Sequence, residues 1–221
     1  GTAQKVEDET EDGSTAMILG SENFLSLLTS SIVCVLKSES SVLDHLLSWG
    51  FVHSLCYLLK RAVEKKAMGT PVTSIIRLMY QLVDRVDAVD SLAGAGTDVI
   101  QQLVMSLGGT GLSHTTASAD MKIELPKETA FIVELLKKIF QCRMSGFLGH
   151  FVQMSTQADL PNFLLDHVIG AKAEELKEVR NPAAMRIHAV DTIKAIIAAD
   201  EFQAGPLRAL LDVHPVWSEF R

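Results

Sequence analysis

Seven His, three Cys and one glycine-rich run are the residues of this sequence equipped for catalysis or metal binding, and their spacing decides what each can do. His53 stands one helical turn before Cys56 and Tyr57, where an imidazole could activate a thiol. The same stretch is dense in leucine (Leu55, Leu58, Leu59), which assigns Cys56 to packing. Asp44-His45 and Asp166-His167 are adjacent pairs, and helical neighbours point about 100° apart, so neither carboxylate orients its own imidazole. Both pairs read as surface or helix-end residues. His45, His53, His150 and His167 are too dispersed for a zinc ligand set. The run Gly108-Gly109-Thr110-Gly111 has no following lysine and no preceding strand, and reads as a flexible loop rather than a phosphate cradle. G-x-S-x-G and H-E-x-x-H motifs are absent. No catalytic residue, metal ligand or cofactor is expected. Cys34, Cys56 and Cys142 cannot all pair and form no C-x-x-C, so they read as buried thiols of a reducing compartment.

The elements that carry these residues must come from a chain of 221 residues, 48% of them hydrophobic, long enough to bury a sizeable core as one large or two small domains. Its formal charge of −7 and pI near 5.5, with no dominant basic run, argue against nucleic-acid binding, which needs clustered Lys and Arg. No apolar run reaches the ~18 residues of a membrane span, and the N-terminal stretch is acidic where a signal peptide is basic. Residues 1–20 set Lys5 against Glu7, Asp8, Glu9, Glu11 and Asp12, more than half of the chain's net charge, and are expected to be a disordered acidic leader. The opening Gly1-Thr2 reads as a cloning remnant on an excised fragment.

From residue 21 onward, apolar residues recur at spacings of three and four, and period-two alternation is nearly absent. A long helix through Phe24 to Leu36, a short one over Val42 to Leu47 and a longer one through Val52 to Val63 are broken at Trp49-Gly50 and stopped at Gly69. The same order follows Thr70-Pro71, with a break at 94–96, and again follows Pro126, with a break at Ala158-Asp159. A further helix opens at Pro182 and runs through Met185, Ile187, Val190, Ile193 and Ile197, with Leu207, Leu210 and Leu211 behind it. Gly50 to Gly96 spans about 46 residues, inside the ~40–47 of armadillo or HEAT units. The longer interval to Ala158 contains a Gly/Ser/Thr-rich stretch over 108–125 that lacks periodicity. The expected fold is all-α: an armadillo/HEAT-like right-handed superhelix of about three helical repeats plus a C-terminal capping unit. Residues 21–221 form one domain, in units of about 21–69, 70–125 with a flexible loop at 108–125, 126–180 and 181–221.

Third helices of such units, here about 51–66, 98–107 and 160–178, would line a groove. The first ends basic with Lys60 and Arg61, the last acidic with Glu174, Glu175 and Glu178, and these five are the candidate partner-binding residues. A groove of mixed charge favours a protein segment over nucleic acid. Asn23, Asn162 and Asn181 do not recur at the fixed third-helix positions of an import-type peptide grip. Trp49 is expected to plug the corner at the glycine break, and Trp217 to cover the end of the stack.

The run Gln157-Ala158-Asp159-Leu160-Pro161, followed by Phe163-Leu164-Leu165, then Asn181-Pro182-Ala183-Ala184, and finally Val216-Trp217-Ser218 with Phe220, resembles the C-terminal helical region of the receptor-mediated-endocytosis J-domain proteins, large endosomal cochaperones. A weaker likeness extends upstream through Leu46 to Leu59 and Pro71 to Leu82. The resemblance implies an armadillo-like scaffold segment acting in endocytic trafficking, sorting and recycling. It implies a cytoplasmic location, peripheral and indirect on the early endosome membrane, with protein partners among sorting nexin/retromer, actin-nucleating and clathrin-related machinery. A seventy-kilodalton heat-shock chaperone would be reached only through the family's J domain. The His-Pro-Asp tripeptide of that domain is absent from this sequence, although His214-Pro215-Val216 shares two of its letters. From the residues alone two other readings stay open: a helical enzyme whose site assembles only in three dimensions, and a purely structural spacer.

Overall fold

Spacings of three and four put the apolar residues on helical faces, and helices are what form. The computed structural model describes residues 22–38, 40–65, 70–95, 98–108, 125–202 and 205–220, and among these the regular structure is helical throughout, with no strand. In chain order the helices are α1 (Glu22–Ser38), α2 (Ser40–Ser48), α3 (Phe51–Glu64), α4 (Thr70–Leu82), α5 (Val86–Gly94), α6 (Val99–Ser106), α7 (Thr129–Gln141), α8 (Leu148–Gln157), α9 (Leu160–Phe163), α10 (Pro182–Phe202) and α11 (Leu207–Leu211). A π-helical turn over Leu164–Ile169 continues α9, and a 3₁₀ turn over Trp217–Phe220 follows α11. The acidic leader and nearly all of the expected 108–125 loop lie outside the described residues.

Helices three places apart in the chain lie against one another: α1 on α4, α4 on α7, and α7 on α10, while α3 packs against α4, α5 and α6. The α7–α10 contact is the most extensive. Helix α7 buries Ile132, Val133, Leu135, Leu136, Ile139 and Phe140, which places it at the centre of the apolar core. Helix α10 answers with Met185, Ala189, Ile193, Ile196 and Ile197. The buried Thr192 hydroxyl is held by the His188 carbonyl at 2.7 Å and lies 3.3 Å from the Val133 carbonyl of α7, so it sits in the seam without an orphaned donor.

Residues in the left-handed region mark the changes of direction. Gly50 (φ 71°) precedes α3, Asp159 (φ 51°) precedes α9, and Asn181 (φ 53°) precedes α10. Asp159 and Asn181 are not glycine, but short polar side chains tolerate this region because they bond locally. The Asp159 carboxylate accepts from the Asn162 side chain at 2.7 Å, and the Asn181 side-chain oxygen accepts the Ala184 N–H at 3.2 Å.

The third unit departs from expectation. Its last helix was expected to reach residue 178, yet helical structure ends at Ile169. The Gly170 N–H closes an i→i−5 bond to the Leu165 carbonyl at 2.8 Å, and a Cβ on Gly170 would sit 3.0 Å from that same oxygen. Beyond it the chain runs in turns, held where the Arg186 guanidinium donates to the Ala171 carbonyl at 2.6 Å.

The join between α10 and α11 rests on a buried carboxylate. Asp200 accepts the Leu207 N–H at 2.7 Å on its side chain and the Gly205 N–H at 2.8 Å on its carbonyl. A Cβ on Gly205 would stand 1.9 Å from Asp200 Oδ1. Asp200→Ala is expected to cost about 1–2 kcal/mol, the size of a lost helix cap, which for a chain of this length lowers Tm by roughly 2–8 °C. Gly205→Ala should destabilise the native chain but cost little in the Asp200→Ala background, because the atom it strikes is then gone. Thermal denaturation of both single variants and the double variant checks this, and additive losses would refute it.

Candidate interaction surface

The residues singled out for chemistry are separated by the fold. Cys56 is 1% exposed on the core face of α3, whereas His53 is on its exposed face, 3.7 Å from where a Cβ on Gly94 would stand. No group of three or more His, Cys, Asp or Glu among the described residues is placed to hold a metal ion. The thiols are not uniformly buried as expected: Cys56 is, Cys142 is half-buried with its thiol pushed up by burial, and Cys34 is exposed on α1. Asp166 does not meet its neighbour His167. It faces His214 instead, 3.2 Å from Nε2.

The five expected partner-binding residues do not face each other across third helices. Lys60 and Arg61 lie on α3 and both lean toward Glu64, at 3.9 and 3.8 Å, with Arg61 5.8 Å from the centre of the Tyr57 ring. Glu174, Glu175 and Glu178 stand in the turns after the π-helical segment, because the helix that was to carry them stops at Gly170. The Glu175 carboxylate accepts the Lys172 N–H at 2.7 Å, Glu178 pairs with Lys127 at 3.4 Å, and Arg180 pairs with Glu128 at 3.2 Å. Two of the three glutamates therefore tether these turns to one another and to the start of α7. Glu174 is exposed.

Trp49 reverses its expected role. Its N–H bonds the His45 carbonyl at 3.0 Å, so the last turn of α2 continues through it and keeps it on the outward His45 stripe, ring centroids 6.2 Å apart. It is 78% exposed. Trp217 is 6% exposed and lines a depression together with Ile197, Ala198 and Glu201 of α10.

Across the row α4–α7–α10 runs a polar ladder that the sequence did not suggest. Tyr80 donates to Glu134 at 2.9 Å, its hydroxyl pushed up by burial and by that carboxylate. Lys138 Nζ lies 3.7 Å from the Tyr80 ring centroid and 2.7 Å from Asp84. His188 on α10 places Nδ1 2.9 Å from Lys137 Nζ and Nε2 3.9 Å from Glu134. Burial first, and then the Lys137 ammonium, hold the His188 imidazole below its ordinary value. The neutral ring thus accepts from Lys137 at Nδ1 and carries its proton on Nε2, toward Glu134. The contact with Glu134 is a dipolar one at neutral pH rather than an ion pair.

No family model, curated protein or solved structure matches this chain.

Several depressions border α10, and another of about 390 Å³ lies away from it, among Val72, Ile76, Phe131 and Arg180. A depression of about 460 Å³ lies between α10 and the α7–α8 turn, with Phe140, Leu148, Ala195 and Ala198 among its walls and Arg143 and Lys194 at its lip. A second, of about 410 Å³, shares Lys194 and Ala198 with it and ends on Trp217. Two large apolar side chains stand exposed on the α7–α8 turn beside the first: Met144 at 83% and Phe147 at 45%. The legible signals were Ala195, Ala198 and Ala199 at small-residue helical spacing, and apolar residues flanking Ser145-Gly146 outside any periodic face.

The ladder has a pH signature. Below the ordinary imidazole value of about 6.5 the unfolded chain takes up a proton that folded His188 resists, so stability falls as pH drops from about 7 toward 5. NMR titration should place the His188 midpoint below that of a free imidazole, and His188→Gln should flatten this part of the Tm–pH curve. An unchanged slope in His188→Gln would show that the ring titrates as in the unfolded chain.

Proposed function

We propose that this chain is a non-catalytic, armadillo-like scaffold segment of an endosomal J-domain cochaperone that presents helical surfaces to sorting or coat proteins in endocytic trafficking and recycling. The observation that carries the scaffold reading is the packing of α1, α4, α7 and α10 as successive neighbours, with α3 against α6, since units whose like-placed helices stack in order are the architecture of armadillo and HEAT arrays. The endosomal assignment is supported by the family-like residues. Asp159 and Asn181 set two of the left-handed breaks, Leu160 and Pro161 are buried after the first, and Trp217 is buried beside α10 in a shared depression, so these residues have defined work in a helical array. In this reading the segment sits on the cytoplasmic side of the early endosome, held there through protein partners such as sorting nexin/retromer, actin-nucleating or clathrin-related complexes. No single helix among the described residues is long and apolar enough to cross a membrane. The α2–α3 pair that passes on length and composition together is bent by 65° at its break.

Proximity labelling from the intact cellular protein, with and without this segment, tests the proposal. Loss of sorting-nexin/retromer or actin-nucleating neighbours on deletion is expected, by several-fold relative to a cytosolic control. A neighbour list without endosomal proteins, unchanged by the deletion, would overturn it.

A further inference from the structure

Between the first turns of α4 and α7 lies the depression of about 390 Å³, and its charge is one-sided. Arg77, Lys127 and Arg180 line it against a single carboxylate, Glu128, so three cations less one anion leave a net of +2. Arg77 is exposed and makes no ion pair among the described residues. Arg180 leans on Glu128 at 3.2 Å, and Lys127 on Glu178 at 3.4 Å with both side chains more than half exposed, a weak contact that gives way to a stronger anion. The hydroxyls point to the same kind of ligand. Ser91 and Ser106 turn theirs back on the carbonyls four residues before, at 2.7 and 2.8 Å, as helical serines do. Ser74 is as deeply placed, at 5% exposed, yet neither its hydroxyl nor that of Thr73 makes a hydrogen bond among the described residues, and both line the depression. Beside them stands the half-buried Phe131, its ring centroid 4.6 Å from that of Tyr80.

We infer that this depression receives one phosphorylated serine or threonine side chain of a protein partner. A phosphate monoester carries about −1.5 to −2 at neutral pH, which matches the net charge of the lining. The planar guanidinium of Arg77 suits two of its oxygens, the Thr73 and Ser74 hydroxyls can donate to it, and the Phe131 ring meets the carbon stem of the phosphorylated residue. The first turns of α4 and α7 add the positive ends of two helix dipoles. Nucleic acid does not fit, because a net of +2 neutralises one phosphoryl group and not a run of them. A bilayer does not fit either, since its headgroups lie in a plane and Ser74 is recessed. The inference rests on the scaffold reading and names the chemistry of the partner.

The test uses the whole 221-residue chain, isotope-labelled, with pools of synthetic peptides that fix a central phosphothreonine or phosphoserine between randomised flanks. The phosphorylated pools should bind saturably and shift the amide signals of Thr73, Ser74, Arg77 and Arg180, whereas unphosphorylated pools should not. Arg77→Gln, at an exposed position, should weaken binding by about tenfold or more, as loss of a charged hydrogen-bond donor does. Arg77→Lys should restore only part of it, because the charge returns without the fork. Ser74→Ala should weaken binding several-fold with Tm unchanged, since the hydroxyl it removes has no partner within the described chain. The inference is overturned if neither phosphorylated pool binds, if unphosphorylated pools bind equally well, if Arg77→Gln leaves affinity unchanged, or if the shifts map elsewhere. It is equally overturned if inorganic phosphate or free O-phosphothreonine binds as tightly as the peptides, or if phosphatidylserine vesicles bind this face and the peptides do not. Because this binding is read in solution, its failure is separate from failure of the endosomal labelling experiment.

Discussion

Helix α7 cannot exist alone: with Ile132, Val133, Leu135, Leu136, Ile139 and Phe140 all buried, it must be covered on several sides at once. Helix α4 covers one side and α10 another, and that second contact is the largest between helices among the described residues. Burying side chains of this kind is worth about 1.5–3 kcal/mol each, so the order of helices along the row is set by which neighbour can reach the face left open by the last. Loops, caps and surface charges all adjust to that row. The ladder from Tyr80 through Glu134 to His188 shows how polar groups are accommodated along it. Each is half-buried at the edge of the apolar seam and each has a partner on the next helix.

Where the chain must turn between helices, a few residues adopt conformations that most side chains avoid. Gly50 does so freely, while Asp159 and Asn181 offset the strain of roughly 1–2 kcal/mol per residue with bonds to Asn162 and Ala184. Two of the stretches that carry the family resemblance are therefore punctuation of the fold. Their side chains are engaged inward or locally, whereas Arg143, Met144 and Phe147 on the α7–α8 turn and Lys194 on α10 are exposed. A motif and an interaction surface can be separated in this way because helix breaks tolerate few residues, whereas an exposed groove constrains only shape and charge.

The surface charges also read differently once placed. The basic end of α3 and the glutamates after the π-helical turn are opposite in sign in the sequence, which suggests a groove of mixed charge. In the fold Lys60 and Arg61 lean on Glu64, and Glu178 leans on Lys127. Exposed pairs of this sort contribute about 0–1 kcal/mol each, and they mainly cancel local fields. Arg143 and Lys194 make no ion pair among the described residues, although Asp191 lines the same depression.

The sequence by itself determined the helices, their order and most of their breaks, because period-3.6 apolar patterning and the φ preferences of Gly, Asn and Asp act over a few residues. The buried status of Cys56 was also legible, because Val52, Leu55 and Leu59 share its helical face and turn inward with it. Tertiary structure alone decided that Trp49 points outward, since a corner tryptophan can continue the preceding helix as readily as plug the next. It decided that helical structure stops at Ile169 rather than running on to residue 178: the Gly170 N–H closes a widened turn on Leu165, and Arg186, sixteen residues on, donates to the Ala171 carbonyl. It also decided that residues as far apart as Tyr80 and His188 flank the same glutamate, and that Arg143 and Lys194 share one groove. Such pairings depend on which helix covers which, and that is settled by the summed burial of whole faces rather than by any local signal.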